Sequence, residues 1–152
     1  MRTVLYMATS ITGKTTSGKG DTSWVQDSDI ERMDAEMTRC GVIIMGKTTY
    51  ESFGEDLPIG KALLVVMTHD KDLLDKNQEG LIITDSTPKE VLNMLKGKGY
   101  QEVMLAGGEN LNSSFLNENL VNEIRIIVKP LVIGQGKSLF NVSKNVNLDR
   151  KS

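Results

Sequence analysis

The sequence predicts an α/β fold in which a central, mostly parallel sheet is flanked by helices. Short apolar runs alternate along the chain with segments of helical periodicity. This alternation is typical of βαβ units, whose strands run parallel. Two of the apolar runs end in glycine and lead directly into a helical segment, at Gly46 and at Gly107–Gly108. Because ligands of parallel sheets bind beyond the carboxyl ends of the strands, these two junctions are the first candidates for a site.

The predicted strands are short runs rich in β-branched residues, bounded by glycine or polar residues. Five of them are Thr3–Ala8, Val42–Met45, Leu63–Met67, Leu81–Ile83 and Val103–Leu105. A sixth run extends over Ile124–Ile133, and Pro130 within it indicates an edge or a kink. Gly134 and Gly136 end this run.

The first predicted helix follows a long polar stretch, Thr9–Ser23. Ser28 and Glu31 have the spacing of a capping box, which predicts Ser28 as the N-cap. Ile30, Met33 and Met37 then recur at helical spacing before Gly41, which predicts that they pack in the core.

Three further helices are predicted. Lys47–Phe53 is a short one, and Glu109–Asn119 carries an apolar stripe that includes Phe115. Between them, Thr87 and Pro88 provide an N-cap and a proline at the first helical position, and this helix ends near Gly97.

Composition excludes several classes of function. A chain of 152 residues, 39% hydrophobic, predicts one domain over residues 1–152. The net charge of −2 gives no reason to expect nucleic acid or a membrane surface, and no apolar stretch reaches the roughly 18 residues that span a bilayer. The single cysteine, Cys40, excludes an internal disulfide framework and suits the cytoplasm. With one histidine besides, no metal site is expected.

A near match to a phosphate loop lies within the polar stretch, at Gly13–Gly20. Gly20 occupies the position of the serine or threonine that would hold magnesium. We therefore exclude a P-loop nucleotidase.

The two glycine junctions have the chemistry of phosphate binding. Glycine lets a ligand approach the backbone closely, and a helix that begins at Glu109 directs unpaired amide groups towards Gly107–Gly108. Lys47, Thr48 and Thr49 place a cation and two hydroxyl groups beside Gly46. We predict that both turns lie together and hold one phosphorylated coenzyme.

Several motifs resemble those of one family. Gly107–Gly108 after a strand, Leu120–Glu123 after the next helix, and a late Gly134–Phe140 segment are similar to the reductase domain of riboflavin biosynthesis and its stand-alone relatives. Ile44–Glu51 resembles a second signature, shared with dihydrofolate reductases, and Ser10–Lys14 resembles Ser-x-Asp-Gly-Lys. The resemblance covers roughly Val4 to Phe140 and implies a dihydrofolate-reductase-like three-layer fold.

The resemblance implies NADPH as cofactor and a residue set for each part of it. The adenosine-side phosphates would meet Gly46, Lys47, Thr48 and Thr49. The pyrophosphate would lie against Gly107, Gly108, Glu109, Asn110 and Leu111, with the Glu109 carboxylate pointing to solvent. The nicotinamide would be lined by Ala8, Ser10, Ile11 and Gly13. Thr68 and His69 would border the adenine ribose, with Lys47 or Lys71 at its 2′-phosphate.

On the substrate side, Trp24 and Asp29 are similar to the tryptophan and acid of dihydrofolate reductases. Asp29 would hold an aminopyrimidine edge and take part in proton transfer, and Trp24, Met33, Tyr50 and Phe53 would contact the substrate. Structural roles remain open for two of them. Asp29 is also expected as the first residue of the capped helix, where the dipole favours an acid, and Trp24 could pack in the core.

The sequence departs from the family at three places. Thr12 replaces the aspartate, no arginine pair follows Tyr50, and the chain ends at Ser152 where relatives continue into a strand hairpin. An edge left unpaired would be covered by a second subunit, which predicts a homodimer.

We expect an NADPH-dependent reductase of a small heterocycle, most consistent with the ribosylaminopyrimidine of riboflavin synthesis. Two alternatives are a pterin or folate reductase and a non-catalytic nucleotide-binding protein.

Overall fold

The computed structural model describes residues 1–15, 26–53 and 61–149 and shows one parallel sheet between two layers of helices. The strands are β1 (Arg2–Thr9), β2 (Val42–Gly46), β3 (Leu63–Met67), β4 (Leu81–Thr84), β5 (Glu102–Leu105) and β6 (Glu123–Val128). The helices are α1 (Asp27–Cys40), α2 (Lys47–Phe53), α3 (Lys71–Leu74), α4 (Pro88–Gly97) and α5 (Glu109–Asn117). The predicted α/β class is confirmed.

The strand order explains how distant segments meet at one edge of the sheet. The order is β4-β3-β2-β5-β1-β6, and all five pairings are parallel. The chain leaves β1, forms β2 to β4 towards one side, and then returns so that β5 inserts between β2 and β1. The carboxyl ends of β3, β2, β5, β1 and β6 are therefore consecutive neighbours along that edge, where a parallel sheet binds its ligands.

Two hydrophobic cores lie on the two faces of the sheet. Helix α1 covers one face, where Met37 and Cys40 pack on Ile43, Met45 and Met104. Helices α4 and α5 cover the other, where the buried residues include Val91, Leu95, Phe115, Leu5 and Ile44. Strand residues of β2 alternate between the two cores, as expected for a strand buried on both faces.

Helix α1 differs from its prediction in its start and in its buried face. Its N-cap is Gln26, whose amide donates to Asp29 Oδ2 at 3.0 Å, so Asp29 is the third helical residue and Ser28 is not the cap. Ile30 is 49% exposed, whereas Asp29 and Glu36 are buried. The apolar spacing gave the wrong buried face because these two acids are buried in ion pairs, Glu36 with Arg125 on β6 and Asp29 with Lys129 just after it.

The remaining helices agree with their signals, apart from one that the sequence did not indicate. Thr87 and Glu90 form the predicted capping box of α4. Helix α3 was not predicted, and it is a single turn whose N-cap is Asp70. None of the helices in the described ranges is long and apolar enough to cross a bilayer.

The predicted sixth strand is shorter than the apolar run that indicated it. β6 ends at Val128, and residues 129–133 are irregular. The Lys129 amide still donates to Thr9 O at 2.8 Å, but Pro130 has no amide to continue the ladder. Leu131 and Ile133 instead bond to the segment that follows β1.

Candidate active site

The two glycine turns lie directly against each other, as the sequence predicted. The Gly46 amide donates to Gly107 O at 2.9 Å. A Cβ atom placed on Gly46 would lie 3.7 Å from Gly107 O and 3.8 Å from Gly108 N. Gly107 has a φ of +95°, and a Cβ atom there would lie 3.1 Å from Met7 Cε. The turns thus form one continuous backbone surface, with a cis peptide bond between Gly107 and Gly108.

Helix α5 begins at this surface with an uncapped end. Gly108 is the N-cap and provides no side-chain hydrogen bond, and the amides of the first helical turn have no acceptor within the helix. Such an end attracts anions. Helix α2 begins at the other turn but has only seven residues, so there the contribution comes from the side chains of Lys47 and Thr49.

The half-buried Glu109 carboxylate has a protein partner that the prediction did not include. Its Oε2 accepts a hydrogen bond from the Ser138 amide at 3.3 Å. The reason is that the segment after β6 passes over the first turn of α5 and supplies a donor there. Glu109 is thereby turned towards this segment.

Lys47 is held by an acid that the sequence analysis missed. Its Nζ lies 2.6 Å from Asp70 Oδ2 and 3.7 Å from Glu51 Oε1. The hydrogen bond between Lys47 and Asp70 raises the pKa of the lysine and lowers the pKa of the aspartate. Asp70 follows Thr68 and His69 at the end of β3, and its N-cap position before Asp72 was the available signal.

The segment after β1 is tied to the segment after β6. Ser10 is buried and its Oγ lies 2.9 Å from Thr12 Oγ1. Thr12 Oγ1 donates to Ile133 O at 2.7 Å and accepts from the Ile133 amide at 3.1 Å. Thr12, which replaces the aspartate of the related motif, therefore joins the two segments. Ile11 is 63% exposed, and Gly13 has a φ of +76° in the turn.

Asp29 lies at the same edge in a buried ion pair. Its Oδ2 lies 2.9 Å from Lys129 Nζ, and the Asp29 and Lys129 side chains are 6% and 15% exposed. The hydrogen bond from Lys129, with a second from the Gln26 amide, lowers the pKa of Asp29. The carboxyl group is therefore ionised at neutral pH, and Lys129 is its ion-pair partner. Lys129 was missed because it follows β6 inside an apolar run.

The other predicted substrate contacts lie together on the face covered by α1. Met33, Tyr50 and Phe53 are partly buried and pack against the same core. Trp24 lies outside the described residues, as does most of the near match to a phosphate loop.

The structure therefore brings the predicted cofactor residues to one edge of the sheet. Ala8 and Ser10 lie at the end of β1, Gly46 at the end of β2, Thr68 after β3, and Gly107 after β5. Thr48, His69 and Asn110 are exposed around them. No group of three acidic, histidine or cysteine side chains in the described ranges is arranged to hold a metal ion. None of the predicted site residues lines a depression of about 450 Å³ between α5, β6 and residues 142–148.

Comparisons with known proteins agree with this geometry. The RibD C-terminal domain family matches residues 3–152. An uncharacterised protein of Bacillus subtilis strain 168, YyaP, is 27% identical over 97% of this chain and 85% of its own length. The 2,5-diamino-6-ribosylamino-4(3H)-pyrimidinone 5′-phosphate reductase of Methanothermobacter thermautotrophicus is 22% identical over 86% of this chain and 78% of its own.

A solved structure shows the same fold. It is that of a putative riboflavin biosynthesis protein from Shewanella sp. PV-4, with a TM-score of 0.80 and 22% identity, covering 98% of this chain and 89% of the other. The resemblance stated from the motifs is thus confirmed, and the relatives and structural neighbours include reductases. This chain belongs to the RibD C-terminal domain family.

Proposed function

We propose that this protein is an NADPH-dependent reductase of a phosphorylated ribosylaminopyrimidine, of the 5-amino-6-(5-phosphoribosylamino)uracil type used in riboflavin biosynthesis. The observation that carries the proposal is the contact between the two glycine turns at the uncapped start of α5. Membership of a family that includes reductases supports the reaction class, and the single cysteine suits a cytoplasmic location.

The residues at the strand ends fit a dinucleotide. The backbone of Gly107 and Gly108 and the first amides of α5 would hold the pyrophosphate, because the two glycines carry no side chain and Gly108 gives the helix no side-chain cap. A Cβ atom at Gly46 would contact the backbone of both Gly107 and Gly108. Thr49 Oγ1 lies close to Gly108, at 4.0 Å from a Cβ atom placed there, and adds a hydroxyl donor. When bound, the reduced nicotinamide supplies the hydride.

The Asp29–Lys129 pair would act on the substrate. A carbon that receives hydride leaves negative charge on the neighbouring heteroatom, which a proton donor must neutralise. The ammonium group of Lys129 can donate a proton there, and the ionised Asp29 fixes its position at 2.9 Å. In this proposal Asp29 also accepts hydrogen bonds from the pyrimidine edge, as the family resemblance implies.

Loss of NADPH absorbance on addition of substrate tests this function. The purified protein would be mixed with NADPH and, separately, with 5-amino-6-(5-phosphoribosylamino)uracil, its 2,5-diaminopyrimidinone counterpart and dihydrofolate. Turnover of a ribosylaminopyrimidine alone supports the proposal, and turnover of dihydrofolate alone replaces it with a folate reductase. NADPH binding without turnover of any of them identifies a non-catalytic nucleotide-binding protein.

We also propose that two copies of the chain associate through β6. This strand is at the edge of the sheet and pairs only with β1 in the described ranges. Ile126 and Val128 on the strand are 40% and 60% exposed, and Val132 just beyond it is 68% exposed. An apolar edge strand of this kind associates unless it is covered.

A further inference from the structure

We propose that Asp70 sets the coenzyme selectivity of this protein by competing with the 2′-phosphate of NADPH for Lys47, and so keeps the preference for NADPH over NADH small. This inference rests on the proposed function, since it concerns the same coenzyme site. Asp70 then acts as a specificity-determining residue.

The geometry of the sheet brings the adenosine half of a coenzyme to Asp70. With the pyrophosphate at the end of β5, the ends of β2 and β3 lie one and two strand spacings away, a total of about 10 Å. The nucleoside half of a dinucleotide can bridge that distance. In the other direction, the buried Ser10 and the buried Asp29–Lys129 pair offer an enclosed place for the reaction. The adenine ribose would then lie at the more exposed β3 side.

The charges at the β3 side disfavour the binding of a ribose 2′-phosphate. Lys47 Nζ is already 2.6 Å from Asp70 and 3.7 Å from Glu51, so one cation faces two carboxylates. A ribose 2′-phosphate would bring nearly two further negative charges. It would have to separate Lys47 from Asp70 and then remain close to both acids. A ribose 2′-hydroxyl group, in contrast, can donate to Asp70 while the ion pair stays intact.

Asp70 is fixed in place and cannot easily turn away. Its Oδ1 accepts the Asp72 amide at 2.9 Å, which caps α3, and its own amide donates to Thr68 Oγ1 at 3.1 Å. One carboxylate oxygen therefore serves the helix and the other serves Lys47. A phosphate that binds Lys47 would therefore have to break the contact between Lys47 and Asp70 while the Asp70 side chain keeps its orientation.

Isothermal titration of Asp70→Asn with nucleotide fragments tests the proposal. Asparagine keeps the oxygen that caps α3, and it replaces the charged oxygen that accepts from Lys47 with an amide group. The probes are 2′,5′-ADP and 5′-ADP, together with NADPH and NADH. We expect 2′,5′-ADP and NADPH to bind about tenfold more tightly to the variant, from the removal of one like charge at contact distance. The affinities for 5′-ADP and NADH should not rise, because their ribose hydroxyl group loses the carboxylate that accepts its hydrogen bond.

Two further variants keep the outcome interpretable. Asp72→Asn removes an equal charge two residues away, from an exposed side chain whose carboxylate is not among the partners of Lys47, and should change every affinity less than about twofold. Lys47→Gln should weaken 2′,5′-ADP more than 5′-ADP. Thermal unfolding of each variant checks that α3 and the fold are retained.

Each result decides the inference. If wild type binds NADPH but Asp70→Asn leaves the ratio between phosphorylated and unphosphorylated ligands unchanged, the role of Asp70 is refuted while the proposed function stands. An equal shift of this ratio in Asp72→Asn also refutes the role of Asp70. If wild type binds none of the four nucleotides, both the proposed function and this inference are refuted.

Discussion

The two ends of the sheet carry charged residues in opposite arrangements. At the amino ends, six side chains from α1, β5, β1 and β6 alternate in sign around a closed ring, and each contacts two neighbours of opposite charge. In order around the ring they are Glu36, Arg39, Glu102, Arg2, Glu123 and Arg125. At the carboxyl ends, Lys47–Asp70 and Asp29–Lys129 lie on either side of two glycine turns.

This difference separates a structural use of charge from a functional one. Each side chain of the ring has two partners of opposite charge, so the loss of one contact leaves the other in place. The network therefore stabilises the packing of α1 on the strands. At the carboxyl ends, the two pairs flank the glycine turns, and no side chain of Gly108 caps the amides of α5 there. A bound anion or substrate can compete for those cations, which is the condition for a ligand site.

The largest expected effect comes from adding a side chain to the glycine turn after β5. Gly107→Ala places a Cβ atom 3.1 Å from Met7 Cε at a φ of +95°, so the turn must move to relieve both strains. We expect NADPH affinity to fall about a hundredfold, or about 2.7 kcal/mol, because the pyrophosphate amides lose their alignment. Fluorescence titration with NADPH measures it.

Gly99→Ala is the matched control for this substitution. Gly99 has the same φ of +95°, but a Cβ atom there meets nothing within 4 Å. Both variants should lose about 1–2 kcal/mol of stability through backbone strain. Only Gly107→Ala should lose NADPH binding. Equal binding losses in the two variants would mean that the turn has no particular role.

The second prediction breaks the ring at its most buried member. Glu36 is 8% exposed and contacts both Arg39 and Arg125, and its pKa is lowered chiefly by the hydrogen bond from Arg39. Glu36→Gln leaves two arginines without this partner. We expect about 2 kcal/mol lower unfolding free energy in urea, reduced from the fully buried case because both arginines are partly solvated.

This variant also sharpens the contrast between the two ends. NADPH affinity should remain within about twofold of wild type, because the ring lies at the opposite end of the strands. A large loss of coenzyme affinity in a folded Glu36→Gln protein would contradict the division into a structural end and a ligand end.

The third prediction concerns the pH dependence of the Asp29–Lys129 pair. Its hydrogen bonds lower the pKa of Asp29 in the folded protein, so its contribution is complete above the unfolded value of about 3.9 and is lost as pH falls through the lower folded value. Asp29→Asn should therefore reduce the unfolding free energy by about 1–2 kcal/mol at pH 7. The difference should shrink towards zero in urea titrations below about pH 3. A difference that is independent of pH would show that packing, and not the ion pair, is responsible.

The sequence predicted the elements whose signals are local. The Thr87–Glu90 box determines the start of α4, and the glycine turns at Gly46 and Gly107 were predicted to meet and do so. Such features depend on backbone chemistry within a few residues. The parallel order then brings the turns together, because both lie at carboxyl ends of strands.

What the sequence did not reveal depends on pairing between distant segments. Asp70 gained its role from Lys47, which is 23 residues away, and Asp29 gained Lys129 from the segment after β6. The start of α1 was misplaced for the same reason. The Ser28 spacing is typical of a capping box, but Asp29 is buried in an ion pair with Lys129 and accepts the Gln26 amide. Gln26 is therefore the cap. The periodicity of apolar residues within one segment does not indicate which residue of a distant segment will be an ion-pair partner.

The smallest expected effect on stability tests the edge of the sheet. Val128→Lys places a charge on an exposed position of β6 and should change the unfolding free energy by less than about 0.5 kcal/mol. It should nevertheless weaken self-association about tenfold or more, because a lysine on an edge strand opposes pairing with another copy. Sedimentation velocity over a concentration series measures this. Leu148→Lys is the control, since Leu148 is 65% exposed but lies outside the sheet. Dimers that survive Val128→Lys would place the contact elsewhere, and a monomeric wild type would show that the β6 edge stays solvated.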